Sequence, residues 1–149
     1  MEELIRVEDM EKYYGSKNNL IKAVDRISFT VSKGEFTGIM GASGSGKTTL
    51  LNLLATVDMV TSGHIYYGPE DITRLSEDKM ADFRKNNLGF VFQDFNLLDT
   101  LTIQENISLA MSLTKKSKKE IQERTKKIME RLDILPSSTC SITIRRCGR

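Results

Sequence analysis

A glycine-rich segment at residues 41–49 has the spacing most closely tied to chemistry in this sequence. It reads G-A-S-G-S-G-K-T-T and fits the pattern G-x-x-x-x-G-K-[ST]. Phosphate oxygens need several donors that converge on one small volume, and glycines let successive backbone N–H groups point inward. The pattern predicts a nucleotide-phosphate site made by Gly41, Ser43, Gly44, Ser45, Gly46, Lys47, Thr48 and Thr49.

Two side chains of this segment have defined tasks in such a site. The Lys47 ammonium is expected to reach the β- and γ-phosphates, and the Thr48 hydroxyl is expected to hold Mg²⁺. The alternative is an ordinary glycine-rich turn between a strand and a helix. An apolar run at 36–40 before the loop and the leucines at 50, 51, 53 and 54 after it supply a strand and a helix. That context favours the phosphate site, with the helix adding the positive end of its dipole.

The rest of the chain is predicted to alternate between short strands and helices. Apolar periodicity predicts strands at 4–7, 27–31, 36–40, 64–67 and 88–92. One helix is predicted at 48–57, and Ser76 is expected to cap another that ends near 86–87. Capping boxes predict two further helices, one begun by Thr102 with Glu105 and one begun by Ser117 with Glu120. These elements predict an α/β domain.

Composition limits the class of protein. The chain has 149 residues, enough for one domain with a real core, and 39% hydrophobic with 28% charged residues is typical of a soluble globular protein. No apolar run approaches the roughly 20 residues of a spanning helix, which favours the cytosol. The stretch 115–149 holds 11 basic and 4 acidic residues. Because its predicted helix also carries spaced glutamates, we interpret it as a solvated helix face and expect no nucleic-acid partner.

Several further segments, in their order and spacing, resemble the nucleotide-binding subunits of ATP-binding cassette transporters. They are K-Y-Y-G at 12–15, V-S-K-G-E-F at 31–36, T-S-G-H-I at 61–65 and G-F-V-F-Q at 89–93. The resemblance runs from about Leu4 to Leu135. The segments at 96–98, 101–103 and 105–106 resemble the branch that includes bacitracin-type peptide exporters, macrolide exporters and lipoprotein-release ATPases.

The resemblance implies ATP and Mg²⁺ as ligands and gives roles to two more side chains. Tyr14 matches the aromatic residue that stacks on adenine, with Tyr13 as the neighbouring candidate. Gln93 matches the glutamine that contacts Mg²⁺ and the attacking water, so Lys47 and Gln93 are the catalytic candidates, and Thr48 and Gln93 the metal candidates. The alternative for Tyr14 is a strand-end aromatic packed on the core, and for Gln93 a solvated residue at a strand end.

The resemblance also implies partners. Phe95, Leu97, Leu98 and Leu101 are expected to form a docking surface for a membrane-spanning permease subunit, although they could equally be core. The complete domain would act as a homodimer. It would lie in the cytoplasm, peripheral on the inner face of the cell membrane.

Parts of the family pattern are absent from the printed sequence. After Gln93 no apolar strand ends in Asp-Glu, the L-S-G-G-Q signature is missing, and the only histidine, His64, precedes Gln93 and is interpreted as structural. Thr143 to Gly148 can be encoded so that reading one base later gives Leu-Ser-Gly-Gly-Val. We hypothesise that 1–136 is the N-terminal part of the ATPase domain, and that 137–149 is an aberrant, frameshifted tail.

The predicted fold is therefore a P-loop NTPase core with an N-terminal antiparallel β portion, incomplete because the final parallel strands are missing. The predicted function is the ATP-binding portion of a transporter ATPase that, when complete, hydrolyses MgATP to power export of a peptide antibiotic, drug or lipoprotein. A non-hydrolysing nucleotide-binding or regulatory module is the alternative. A small-molecule P-loop kinase is disfavoured, because no acceptor-site Asp or Arg-rich lid is evident.

Overall fold

The computed structural model describes residues 2–16, 19–93, 96–113 and 116–135. By its internal contacts the chain divides into a first unit, Met1–Phe90, and a second unit, Val91–Arg149. The predicted aberrant tail at 137–149 lies outside the described residues, as does Phe95 of the predicted docking surface.

The first unit is built on a four-stranded antiparallel sheet. Strands β1 (Glu3–Ser16) and β2 (Asn19–Ser32) form a long hairpin. Strand β3 (Ser62–Tyr67) pairs with the other side of β1, and the short β4 (Glu70–Asp71) pairs with β3. The spatial order is therefore β2-β1-β3-β4. This sheet is the predicted N-terminal antiparallel β portion.

The predicted strands at 4–7, 27–31 and 64–67 are confirmed, but β1 and β2 are much longer than predicted. Their register shifts between Val7 and Met10. Asp9 has φ 43° and Arg26 has φ 49°, values that interrupt an extended strand. Because each irregularity breaks the alternation of apolar and polar residues, periodicity alone identifies only parts of these strands.

One face of the sheet packs against two helices, α1 (Lys47–Leu54) and α2 (Glu77–Asn87). The shared core consists of Val7, Met10, Val24, Leu50, Leu53, Ile65, Ile72 and Phe83. Burial of this apolar surface fixes α1 on the sheet, and with it the glycine-rich loop that precedes α1.

Tyr67 adds a polar connection between β3 and the end of α1. Its hydroxyl donates to the Leu54 carbonyl oxygen at 2.8 Å, and its ring meets Phe83 edge-on with 5.0 Å between centroids. Burial raises the pKa of the Tyr67 phenol to about 12. The partly buried phenol is thus hydrogen-bonded, which is the condition under which its burial stabilises the fold.

Two predicted strands do not form, and those predictions were wrong. Residues 36–40 and 88–92 are irregular, and within the described chain neither segment pairs with a strand. Phe36 is 100% exposed and Met40 is 95% exposed. An apolar sequence becomes a strand only when a neighbour accepts its backbone hydrogen bonds. The sheet that the structure describes contains only antiparallel pairs and offers these two segments no such neighbour.

The second unit contains α3 (Ile103–Ser112) and α4 (Lys118–Arg131). The Thr102–Glu105 capping box is confirmed, with both reciprocal hydrogen bonds present. The second box forms only in part: the Ser117 hydroxyl accepts from the Glu120 amide, while the Glu120 carboxylate pairs with Lys116 at 3.2 Å. Among the described residues, no helix is both long and apolar enough to cross a membrane.

Candidate phosphate-binding site

The loop at 41–46 is shaped by glycines whose conformations other residues adopt only at a cost. Gly44 has φ 79° and Gly46 has φ 85°, both in the left-handed region. Gly46 also lies against β2, where a Cβ atom would come 2.1 Å from the Ala23 carbonyl oxygen. Gly46 therefore combines a left-handed turn with a close approach to the sheet, and α1 begins at the next residue.

The start of α1 offers backbone donors. Its N-cap residue, Gly46, makes no side-chain capping bond, and the first turn carries no acidic residue. The first N–H groups of a helix have no partner within the helix, and the dipole makes this end positive. These features suit an anion that binds between the loop and the helix.

The Lys47 ammonium lies within the loop. It donates to the carbonyl oxygens of Gly41 at 2.9 Å and Ala42 at 2.6 Å, and it is 3.4 Å from the Ser45 hydroxyl oxygen. The Lys47 ammonium is thus held at the loop by hydrogen bonds to neutral oxygens, which a bound ligand can replace. A phosphate, being charged, would be a stronger partner for the same ammonium. Ser43, Ser45 and Thr48 are exposed at this end of the unit.

Tyr14, the predicted adenine contact, lies near the end of β1 and is 42% exposed. Its hydroxyl donates to Asp58 Oδ2 at 2.6 Å. The pKa of Tyr14 is raised, first by this hydrogen bond and then by burial, while a side-chain hydrogen bond with Thr49 lowers it. Through Asp58, Tyr14 therefore contacts the segment that follows α1. The amide of Tyr13, the alternative candidate, donates to the Thr61 hydroxyl at 3.0 Å.

Lys12 and Asp58 complete this cluster, and sequence reasoning missed them as site residues. Lys12 Nζ donates to Asp58 Oδ1 at 2.7 Å and to the Met59 carbonyl oxygen at 2.7 Å. Burial raises the pKa of Asp58, but hydrogen bonds from Lys12, Tyr14 and the Met59 amide outweigh it and leave the pKa lowered. Lys12 and Asp58 are 46 positions apart, so no local pattern joins them.

Gln93 is the first candidate residue of the second unit, and it is exposed there. The phosphate-binding loop belongs to the first unit, so the predicted contact of Gln93 with Mg²⁺ and water stays a prediction.

In the predicted docking surface, Leu97 is 42% and Leu98 48% exposed, whereas Leu101 is half-buried. The Asn106 side chain orders this segment. It accepts from the Leu98 amide at 2.9 Å and donates to the carbonyl oxygens of Leu98 and Leu101 at 3.0 and 3.3 Å. Asn106 lies within α3, so this helix holds the loop in place.

Comparison with known proteins places these features in a family. The sequence pattern of the ABC transporter family matches residues 24–144. The bacitracin export ATP-binding protein BceA of Halalkalibacterium halodurans is 47% identical over 131 residues, covering 88% of this chain and 52% of that protein. The lipoprotein-releasing system ATP-binding protein LolD of Geobacter metallireducens is 40% identical over 111 residues, covering 74% and 49%. The chain thus spans about half the length of these curated relatives.

A solved structure agrees with these sequence matches. The dimeric ATP-binding cassette MJ0796, in a post-hydrolysis state bound to ADP and Pi, has a TM-score of 0.83 and 29% identity, covering 93% of this chain and 61% of that one. The family pattern covers most of the chain, and the fold is that of a cassette. As the glycine-rich loop and its flanking segments predicted, the chain belongs to the ABC transporter family.

Proposed function

We propose that the chain is the MgATP-binding portion of an ABC exporter ATPase. The observation that carries this proposal is the Lys47 ammonium, held inside the loop beside the Gly41 and Ala42 carbonyl oxygens at the uncapped start of α1. This arrangement joins a positive charge to backbone N–H donors, which is the combination a polyphosphate needs.

Each predicted site residue has a role in this proposal. Backbone N–H groups of Gly41, Gly44 and Gly46, with the hydroxyls of Ser43, Ser45 and Thr49, surround the phosphates. Lys47 binds the β- and γ-phosphates, and Tyr14 stacks on adenine.

Mg²⁺ fits the oxygen donors at this end of the unit. When bound with a nucleotide it takes most of its ligands from phosphates and water and only one or two from protein. The exposed Thr48 hydroxyl, in the first turn of α1, would supply one such oxygen. Gln93 is the second proposed ligand and would orient the attacking water. When bound, Mg²⁺ neutralises phosphate charge.

The proposed cargo and partners follow from the relatives. BceA, LolD and the macrolide export protein MacB of Mannheimia succiniciproducens, which is 34% identical over 131 residues, are all named for export or release. We propose a peptide antibiotic, drug or lipoprotein as cargo, and docking of a membrane-spanning permease on residues 95–101. We also propose a homodimer of the complete domain on the inner face of the cell membrane.

Turnover is proposed for the complete domain. The printed sequence has no Asp-Glu pair after Gln93. In the family that the sequence resembles, the Asp of such a pair helps hold Mg²⁺ and the Glu polarises the attacking water. For this chain alone we expect ATP binding without turnover. Restored turnover after extension of the reading frame would distinguish a transporter ATPase from a non-hydrolysing regulatory module.

The test is a titration with fluorescent ATP of the wild type, Lys47→Ala and a control, Lys79→Ala, on the exposed surface of α2. Loss of a charge-assisted contact costs about 1.5–3 kcal/mol, so Lys47→Ala should weaken binding about 10- to 100-fold. Lys79→Ala should bind like the wild type. Equal binding by all three proteins would contradict the proposal.

A further inference from the structure

Tyr14, Lys12 and Asp58 form a connected cluster beside α1. The Asp58 carboxylate accepts from the Tyr14 hydroxyl through Oδ2 at 2.6 Å. Through Oδ1 it accepts from Lys12 Nζ and from the Met59 amide, both at 2.7 Å. Both carboxylate oxygens are therefore engaged, so the orientation of Asp58 is fixed from two sides.

Lys12 acts on the tyrosine in a second way. Its ammonium lies 4.9 Å from the centroid of the Tyr14 ring, within the range of a cation–π contact. The Lys12 side chain is only 12% exposed, and that of Asp58 is 30% exposed. A partly buried ion pair is screened less than a surface pair, so this one can hold the ring firmly.

The cluster joins two parts of the first unit. Lys12 and Tyr14 belong to β1, and Asp58 follows the end of α1. Through Asp58 the Tyr14 ring is thus tied to the segment that follows the helix carrying Lys47. An aromatic ring can stack on the base of a bound nucleotide only if the ring plane has a fixed orientation relative to the site that holds the phosphates.

We infer that Asp58 and Lys12 are positioning residues that orient the Tyr14 ring for the nucleotide base, which stacks on the ring face opposite Lys12. This inference rests on the proposed ATP site. Asp58 acts through the Tyr14 hydroxyl and not on the nucleotide itself. Removal of the hydroxyl and removal of the carboxylate should therefore have the same effect, and the two effects should not add.

The competing interpretation is that the cluster only stabilises the fold by tying β1 to the segment after α1. The two interpretations differ in what they predict for ligands with and without a base. A loosened fold disturbs the phosphate site as well, whereas a misplaced tyrosine weakens only ligands that carry a base.

The experiment measures dissociation constants for MgATP and for inorganic triphosphate, by competition with fluorescent ATP. The proteins are the wild type, Asp58→Ala, Tyr14→Phe and the double variant. Asp58→Ala and Tyr14→Phe should each weaken MgATP binding about three- to tenfold, the effect of one ordinary hydrogen bond, and leave triphosphate unchanged. In the Tyr14→Phe background, Asp58→Ala should add less than about twofold.

Several outcomes would overturn the inference. Asp58→Ala could weaken binding of ATP and triphosphate equally, or leave ATP binding unaffected, or add its full effect to that of Tyr14→Phe. If Asp58→Ala fails to fold, Tyr14→Phe, which removes the same hydrogen bond, is the deciding variant: unchanged ATP binding overturns the inference. A wild type that binds neither ligand contradicts the proposed function instead, and one that binds triphosphate as tightly as ATP contradicts only the base contact.

Discussion

Gly46 links the geometry of the phosphate-binding loop to the packing of the first unit. Its left-handed conformation ends the loop, and its missing side chain lets the start of α1 approach the Ala23 carbonyl of β2. Gly44 has nearly the same φ, but a Cβ there would meet nothing within 4 Å. Substitution of Gly44 therefore tests the cost of the left-handed backbone alone, whereas substitution of Gly46 adds the cost of a steric clash.

We predict that Gly46→Ala destabilises the protein more than Gly44→Ala. A left-handed non-glycine residue costs about 1–2 kcal/mol, which both variants should lose from the free energy of unfolding. Gly46→Ala must in addition push the Ala23 backbone away, which should cost about 1–3 kcal/mol more. Urea denaturation of the three proteins measures this difference. Equal losses in the two variants would show that α1 is not held against β2 as described.

Residues that act through a shared motif could be predicted from the sequence, and residues that meet only in space could not. The glycine loop, Lys47 and Thr48 lie within nine positions of one another, so their spacing alone indicates a phosphate site. Lys12 and Asp58 contact each other only because α1 returns the chain to β1. A lysine and an aspartate 46 positions apart give no local signal.

At the scale of elements, helices were predicted better than strands because helix signals are local. The Thr102–Glu105 box spans four residues and is present in the structure as predicted. Strand signals at 36–40 and 88–92 were just as clear in the sequence, yet neither segment forms a strand. A strand depends on a partner, and the periodicity of one segment does not show whether a partner exists.

The capping box of α3 gives a prediction at this scale. Thr102→Ala removes the hydroxyl that accepts from the Glu105 amide, and at pH 7 it should destabilise α3 by about 1 kcal/mol. Amide hydrogen exchange within α3 measures this loss. Hydrogen bonds from the Thr102 amide and then from its hydroxyl lower the pKa of Glu105 below its ordinary value of 4.5.

This lowered pKa sets the direction of the pH dependence. A carboxylate with a lowered pKa stabilises the folded state above its unfolded pKa, and this contribution is lost as the pH falls through the folded value. The effect of Thr102→Ala should therefore shrink between pH 7 and pH 3. Ser117→Ala is the control, because the Ser117 hydroxyl accepts from the Glu120 amide and the Glu120 carboxylate pairs with Lys116. An effect of Thr102→Ala that does not change with pH would contradict the reciprocal box.

At the scale of the molecule, apolar side chains lie exposed where the chain is irregular. Phe36 is 100% exposed and Met40 and Val91 are each 95% exposed, in segments with the composition of buried strands. Apolar side chains exposed in segments that pair with no strand of the described sheet favour association with another chain.

We therefore predict that the isolated chain self-associates through residues 36–40. The double variant Phe36→Ser and Met40→Gln should shift the protein toward the monomer at micromolar concentrations, measured by sedimentation velocity. The control is Ile128→Gln with Leu132→Gln, at the C-terminal end of α4, where the residues are 38% and 61% exposed but the backbone is hydrogen-bonded within the helix. If the control variant shifts equally toward the monomer, association depends on exposed apolar side chains in general and not on residues 36–40. A wild type that is monodisperse and monomeric would contradict the prediction outright.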